Sequence, residues 1–363
     1  MFATDAHAAT VPEHDPLQIV LIADEVNPNG LSDAELTQPE DVRAALVDGG
    51  SGLSVAAVTF SLSNCIDEAV QALENDDIDV FVYFAHVSAT DCSGLGAQPR
   101  LDAAVEAHLQ GGGGVVVFHH GLYTAPGKEE ILRLLGGTAN SIFWDTTTGQ
   151  DVIAVAPDHF VAMNEIEYAG TRAFADPGFG IPMMEYGVFN NTPDERYPGV
   201  QFITEPGESR TILFASDYSG AQILGYDLHR PDWGGHVVFY QPGEFQPNAL
   251  DDVDGNNFQI FANAIYWAAT QHEQPVDPTG GESGESGDES TGGSASNTST
   301  VSASGDEAGS TAATSAGSIS DTDDSAGGAG GDEGCGCRSA GGSGLAPLVV
   351  LVGFAARRRR RAV

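Results

Sequence analysis

Two adjacent histidines stand at the end of an apolar run. His119 and His120 come directly after Val115 to Phe118, a run that predicts a buried strand. Side chains alternate between the two faces of a strand, so regular geometry turns at most one of the two toward a cleft, although a turn at Gly121 can redirect the other. A neutral imidazole can act as a general base or ligate a metal near neutral pH. The alternative is a histidine hydrogen-bonded to loop backbone.

A second group of polar residues follows the predicted strand Asp79 to Ala85. The carboxyl ends of neighbouring parallel strands meet at one edge of a sheet, which is where such sheets bind ligands. We therefore expect His86, Asp91 and His119 to converge, with Glu244 or Asp145 completing a set of nitrogen and oxygen ligands. Such a set suits a divalent transition metal. The alternative is a collection of polar loop residues, each capped locally.

Three aromatic residues in loop-like sequence are candidates for contact with a carbohydrate. Tyr123 lies two residues after Gly121 and can bind a sugar hydroxyl or stack on a ring. Trp144 and Trp233 are isolated and can form a stacking platform. The alternative for all three is ordinary packing in the core or at its rim.

Strands and helices must alternate to position these side chains. The strands are predicted at 17–23, 54–60, 79–85 and 115–118, and the helices at 39–48, 67–73, 99–110 and 128–135. This alternation predicts an α/β fold with a doubly wound, mostly parallel sheet of flavodoxin-like order. Four further strands, at 151–156, 211–215, 221–225 and 237–240, and a final helix at 258–270 are predicted in less regular surroundings.

Charge and composition exclude one large class of function. The formal net charge is −38, and Lys128 is the only lysine. Nucleic-acid binding needs a basic face, so we expect no nucleic-acid partner. Residues 273–333 are almost entirely Gly, Ser, Thr, Asp, Glu and Ala, which predicts a disordered acidic stalk.

Two of the four cysteines lie in the predicted domain. Cys65 and Cys92 each follow a predicted strand by a few residues, at the same end of the sheet. Export would permit a disulfide between them. The alternative is two separate thiols.

The C-terminal residues have the order of a retention signal. Cys335 and Cys337 are followed by a spacer, the apolar run Leu345 to Ala356, and the arginines at 357–361. The run is about a dozen residues, short of the roughly 20 that span a bilayer. The whole pattern of cysteines, apolar run and terminal arginines resembles the MYXO-CTERM sorting tail of myxobacterial surface proteins. That resemblance implies processing and lipid attachment at one of the two cysteines, a sorting machinery and a membrane as partners, and a location at the cell surface or outer membrane.

These features divide the chain into four parts. We expect a leader or disordered segment at 1–16, one domain at 17–272, the stalk at 273–333 and the sorting signal at 334–363. Residues 1–16 hold no apolar core of a signal peptide, so we expect a start further upstream or another export route.

Three segments of the domain resemble one family. The first runs from the third predicted strand, which begins at Asp79, through the helix and the glycine turn to Gly121. The others are Leu134 to Gly137, and Gly235 to Tyr240 together with Asn257 to Trp267. Their order and spacing are similar to those of the trehalose-utilisation (ThuA-like) domain, a relative of class I glutamine amidotransferases. The resemblance implies a flavodoxin-like fold, an active-site region at the carboxyl ends of the central strands and a role in sugar metabolism.

Two positions depart from the pattern of those relatives. The amidotransferase cysteine after the fourth strand is absent, since His119 and His120 stand there, so hydrolysis of glutamine by a thiolate is not expected. The Gly-His that follows the last core strand in the family is absent here, where the matching stretch is Tyr240 to Glu244. Two hypotheses remain open. One is a surface-displayed enzyme that acts on a sugar or glycoside, and the other is a binding or structural module that keeps the fold without the chemistry.

Overall fold

The structure is a computed structural model. It describes residues 10–24, 39–47, 52–75, 77–139, 143–144, 149–191, 195–197, 199–217, 222–242 and 256–271. The predicted leader (apart from 10–16), the stalk, the sorting signal with Cys335 and Cys337, and the candidates Glu244 and Asp145 lie outside these ranges. No helix within these ranges is long and apolar enough to cross a membrane.

The strands are β1 (Leu17–Ala23), β2 (Val55–Leu62), β3 (Val80–Phe84), β4 (Gly114–Phe118), β5 (Gly137–Ala139), β6 (Phe143–Trp144), β7 (Gln150–Ala154), β8 (Gly170–Asp176), β9 (Ile181–Asn191), β10 (Glu195–Arg196), β11 (Val200–Phe202), β12 (Ser209–Ser216), β13 (Gln222–His229) and β14 (Val237–Tyr240). The α-helices are α1 (Pro39–Val47), α2 (Asp67–Asn75), α3 (Gln98–Gln110), α4 (Glu129–Leu135), α5 (Phe160–Met163) and α6 (Asn256–Thr270), and short 3-10 helices lie at His119–Leu122 and Pro177–Phe179.

A ten-stranded mixed sheet forms the centre of the fold, in the order β2-β1-β3-β4-β14-β13-β12-β7-β9-β8. The first five strands in this order pair in parallel. From β14 onward every pairing is antiparallel. The α/β class is as predicted, but the expectation of a mostly parallel sheet is wrong. The connections after β12 and β13 are short, and a short connection can join only antiparallel neighbours, because a parallel pair needs a long crossover.

Helices cover both faces of the parallel strands. Side chains of β1 alternate between two hydrophobic cores, with Val20 and Ile22 in the first and Ile19 and Leu21 in the second. The first core receives residues of α2, α3 and α4, and the second receives residues of α1, α5 and α6. Burial on both faces explains why β1, β3 and β4 are continuous apolar runs rather than alternating ones.

Local signals end the helices near their predicted positions. Pro99 lies in the first turn of α3, where its missing N–H costs nothing, and Gly111 caps the other end. The α4 helix ends at Gly136, which has a φ of 80°, a left-handed conformation that glycine adopts without strain. A hairpin of β8 and β9 and the four-residue helix α5 are not predicted by the sequence patterns. The strand β9 exposes Met183 and Met184, and this irregular burial obscures a period of two.

Candidate functional site

The carboxyl ends of β1, β3 and β4 meet at one edge of the sheet. β1 pairs with β3 and β3 with β4, all in parallel, so their last residues lie side by side. Asp24 follows β1, His86 follows β3 after one residue, and His119 and His120 follow β4. We call this group, together with Tyr123, the histidine edge. It lies where the parallel-sheet rule placed the candidate site.

Asp24 is the buried carboxylate of the histidine edge. It is 6% exposed, accepts a hydrogen bond from the backbone N–H of His86, and accepts another from Ser63 Oγ at 2.8 Å. Its Oδ2 lies 3.7 Å from Nε2 of His120. A buried carboxylate held in this way stabilises a positive charge on the neighbouring imidazole. Asp24 was not predicted as a site residue, although an acidic residue directly after an apolar strand is as informative as a histidine in the position of His119.

His120 is enclosed by aromatic rings. It is 5% exposed, and its ring stacks on Phe84 at 4.4 Å and on His86 at 5.1 Å between ring centroids. These contacts and the proximity of Asp24 hold one orientation of the imidazole. His86 is half-buried, so it lies nearer to solvent than His120.

His119 has a backbone conformation that bulky residues rarely adopt. Its φ is 45°, and a positive φ in a residue other than glycine stores strain that is concentrated at functional turns. The side chain is fully buried, and Nδ1 lies 2.7 Å from the carbonyl oxygen of Gln241. A carbonyl only accepts, so the geometry assigns the proton to Nδ1. The neutral ring then carries an unprotonated Nε2, the form that a general base needs.

The turn that carries both histidines is packed too tightly for a side chain at Gly121. A Cβ at that position would lie 2.7 Å from Cγ1 of Val117 and 2.8 Å from the carbonyl oxygen of Tyr83. Such distances are well inside van der Waals contact. Gly121 therefore lets the chain reverse directly against β3 and β4, which redirects the second histidine as the sequence analysis allowed.

Two tyrosines complete the aromatic wall. The Tyr123 ring lies 4.1 Å from His86, edge on, and 6.1 Å from Tyr197, and the Tyr197 ring lies 5.3 Å from His119. Tyr123 is half-buried and Tyr197 is buried. Tyr123, a predicted ligand contact, therefore lies at the histidine edge. Tyr197 comes from the segment after β10, where no sequence pattern predicted a site residue.

A buried lysine connects the turn after β3 with the turn after β4 by hydrogen bonds to their backbone carbonyls. Lys128 is fully buried, and its Nζ donates to the carbonyl oxygens of Ala85 at 2.7 Å and Gly121 at 3.1 Å, with that of His86 at 3.4 Å. Burial lowers the pKa of Lys128 to about 7, and the negative charge of Asp24 opposes this effect. Lys128 is the only lysine of the chain, and no local sequence pattern predicted that its side chain would be buried.

Two predicted members make contacts outside the histidine edge. Asp91 caps its own turn, because its Oδ1 accepts from the backbone N–H groups of Ser93 and Leu95, both at 2.9 Å. These bonds fit the alternative of a locally capped loop residue, and the convergence of Asp91 with the histidines stays a prediction. Trp233 is 1% exposed and precedes β14, so it lies at the opposite edge of the sheet from His119 and forms no open platform there.

The remaining predictions have mixed outcomes. Trp144 lies on β6, whose backbone pairs with β10. Among the described residues no group of three His, Cys, Asp or Glu side chains is arranged to hold a metal ion. Cys65 and Cys92 form a disulfide, which ties the loop after β2 to the loop after β3 on the flank of the histidine edge.

A second polar cluster lies on another part of the sheet and was not predicted as a unit. Asp227 on β13 accepts from Nδ1 of His236 at 2.9 Å, Nε2 of His159 at 3.1 Å and Nε1 of Trp267 at 3.0 Å. Burial would raise the pKa of Asp227, but the hydrogen bonds and charges of His159 and His236 outweigh burial and lower it to about 2. His159 also caps α5 by accepting from the N–H of Val161. This cluster links β13, β14, α5 and α6 and is a structural node.

Comparison with known proteins gives similarities of fold alone. No protein-family model matches the chain, and no curated protein matches it. Among solved structures, a ThuA-like protein from Bacteroides uniformis is 12% identical with a TM-score of 0.47, over 73% of this chain and 96% of that one. A ThuA-like protein from Parabacteroides merdae is 14% identical with a TM-score of 0.45, over 73% of this chain and 94% of that one. The glutaminase domain of CTPS from Trypanosoma brucei is 10% identical with a TM-score of 0.35, over 71% of this chain and 100% of that one.

Proposed function

We propose that residues 17–272 are a ThuA-like domain and that the histidine edge is an active site for acid–base chemistry on a sugar or glycoside. The parallel strands, in the order β2-β1-β3-β4-β14, have the flavodoxin-like order, in which ligands bind beyond the carboxyl ends of the strands. The proposal rests on the geometry of His119. This bulky residue has a φ of 45°, and its Nδ1 donates a hydrogen bond to the carbonyl oxygen of Gln241.

The proposed roles follow from the geometry. In glycoside hydrolysis, His119 Nε2 accepts a proton from the water that bonds to the anomeric carbon. The imidazolium of His120 donates a proton to the oxygen whose bond to that carbon breaks, and solvent then carries a proton from His119 back to His120. Gln241 keeps the ring in the tautomer that leaves Nε2 as the acceptor. The pair of His120 and Asp24 supplies a second imidazole beside a fixed negative charge, which suits proton donation. Tyr123 and His86, the half-buried members, contact the ligand.

The test is turnover of a panel of 4-nitrophenyl glycosides and free disaccharides by the full chain, followed by absorbance and proton NMR. We expect turnover by the native chain and its loss in His119→Asn and His120→Gln. The control is His229→Gln, which alters a half-buried histidine outside the histidine edge. Equal turnover in the native chain and in both edge variants would contradict the proposed roles.

A second candidate function is a binding module without catalysis. His119 and His120 are 0% and 5% exposed, which favours a packing role for both rings. In that case a sugar shifts the NMR signals of His86 and Tyr123 without any product. The same panel separates the two functions, because binding without turnover supports the module and turnover supports the enzyme.

A metal-assisted version of the chemistry requires ligands beyond those described. Glu244 and Asp145 are the candidates, together with His119. Elemental analysis of the purified chain after dialysis without chelator tests this version. A stoichiometric transition metal that is lost in His119→Asn supports it, and the same metal content in both proteins contradicts it.

We also propose that the protein is displayed at the cell surface. The acidic stalk would hold the domain away from the membrane, and the C-terminal tail would direct sorting and lipid attachment at Cys335 or Cys337. Surface biotinylation of source cells and mass spectrometry of the C-terminal peptide test this proposal. A tail that keeps its arginines and carries no lipid, in protein confined to the cytosol, would overturn it.

A further inference from the structure

A cavity lies at the opposite edge of the sheet from the histidine edge. It has a volume of about 350 Å³, within the range of small-molecule sites. Its lining comes from α3, from the end of α4, from the loop after β11 and from the turn between β13 and β14. We call it the Arg230 cavity, and it is lined by Glu106, Arg133, Glu205, Pro206, Arg230, Pro231, Asp232 and Trp233.

Arg230 is the buried cation of this cavity. It is 3% exposed, and its guanidinium carbon lies 4.6 Å from the centre of the Trp233 ring. One of its nitrogens, Nη2, donates to the carbonyl oxygen of Arg133 at 2.7 Å, and Nε lies 3.5 Å from Oε2 of Glu208. The third nitrogen, Nη1, is buried, and neither Nη1 nor Nε has a hydrogen-bond partner among the described residues.

An unpaired N–H on a buried guanidinium is costly, so this position calls for an acceptor. Burial lowers the pKa of Arg230 while Glu208 and Glu205 oppose that effect, which fits a cation held in a dry environment by carboxylates. An acceptor that occupies the cavity would complete the hydrogen bonding of Arg230.

The charges of the lining decide which acceptor fits. Three carboxylates, of Glu106, Glu205 and Asp232, face two guanidiniums, of Arg133 and Arg230. Arg133 is already paired with Glu106, Glu130 and Glu205. An anionic ligand would be repelled by the excess of negative charge. A hydroxyl group, in contrast, accepts from a guanidinium and donates to a carboxylate at the same time.

We propose that the Arg230 cavity binds an uncharged sugar unit. One sugar hydroxyl accepts from Nη1 of Arg230 and others donate to the carboxylates of Glu205 and Asp232. Trp233 forms the buried floor beneath the guanidinium rather than an open stacking surface. This site is separate from the histidine edge and does not depend on catalysis there.

The experiment uses the full chain labelled with ¹⁵N and follows the indole N–H signal of Trp233, assigned by elimination with Trp144→Phe and Trp267→Phe. The probes are D-glucose, D-galactose and D-mannose, with D-glucuronate as the anionic comparison. We expect at least one neutral hexose to shift the signal, and Asp232→Asn and Glu205→Gln to weaken its binding by about tenfold each through loss of a charge-assisted hydrogen bond.

Two controls define the location. Glu68→Gln changes an exposed carboxylate on α2 and should bind as the native chain does. His119→Asn should also leave the Trp233 shift unchanged, which separates this site from the histidine edge. Arg230→Lys should also weaken binding, and circular dichroism checks that this variant still folds. Asp232→Asn does not disturb the core, because Asp232 is exposed. The proposal is overturned if no hexose moves the signal, if Asp232→Asn and Glu205→Gln bind like the native chain, or if glucuronate binds more tightly than the hexoses.

Discussion

The Nζ of Lys128 lies 2.7 Å from the carbonyl oxygen of Ala85, the residue between β3 and His86. The same nitrogen reaches the carbonyl oxygen of Gly121, beyond His119 and His120. One buried side chain therefore fixes the backbone on both sides of the histidine edge. The relative position of His86 and His120, whose rings stack at 5.1 Å, depends on this tie.

The titration of Lys128 predicts a pH-dependent stability. Its folded pKa of about 7 lies below the ordinary 10.5, so the unfolded chain binds more protons between these values and stability rises with pH. The cost of the buried charge is fully present below about pH 7. The shift corresponds to at most about 5 kcal/mol. Urea unfolding should show the native chain gaining stability relative to Lys128→Met as pH rises from about 7 toward 10.5. A difference that stays constant over this range would show that Lys128 titrates normally.

Asp24 and Asp91 form a matched pair of variants. Asp24 Oδ2 faces His120 at 3.7 Å, whereas Asp91 caps its own turn. We expect Asp24→Asn to lower turnover of any substrate found in the glycoside panel by about a hundredfold, the scale of one lost acid–base or electrostatic contribution. Asp91→Asn should change turnover by less than about threefold and should mainly lower thermal stability. An equal loss of turnover in Asp24→Asn and Asp91→Asn would show that Asp91 also acts at the histidine edge.

The positive φ of His119 can be tested without a known substrate. Glycine and asparagine tolerate a φ of 45° better than a larger residue does. His119→Asn should therefore keep the turn, while His119→Val should cost about 2 kcal/mol more, because a β-branched residue is strained there. Chemical denaturation of the two variants gives the comparison. Val and Asn variants of equal stability would mean that the turn relaxes to a negative φ.

The cluster at Asp227 predicts a stabilising carboxylate. Its pKa of about 2 lies below the ordinary 3.8, so its contribution is present above pH 3.8 and is lost as pH falls through about 2. Asp227→Asn should lower the free energy of unfolding at neutral pH by about 2 kcal/mol, because an uncharged amide is a weaker acceptor for His159 and His236. Denaturation at pH 7 and in acid measures both effects. If Asp227→Asn unfolds at pH 7 with the same free energy as the native chain, Asp227 does not stabilise the fold.

The parallel half of the fold could be predicted because its signals are local. The apolar runs of β1, β3 and β4 need only neighbouring residues to show burial on both faces, and Gly111 and Gly136 mark helix ends directly. The hairpin of β8 and β9 could not be predicted, because its exposed methionines obscure the alternation that identifies a strand. The mixed order of the sheet also depends on which strands become neighbours, and no segment alone carries that information.

The apolar runs along the chain were enough to predict that His86, His119, His120 and Tyr123 lie together, because the carboxyl ends of parallel strands share an edge. The side chains that surround these four residues come from distant segments and depend on tertiary packing. The bond between His119 and Gln241 spans 122 residues, and Asp24 approaches His120 from a strand at the start of the domain. Tertiary packing also buries the side chain of Lys128, and it buries Trp233 at the opposite edge of the sheet. Such contacts arise when distant segments pack together, and their geometry is set by the order of the sheet rather than by any pattern along the chain.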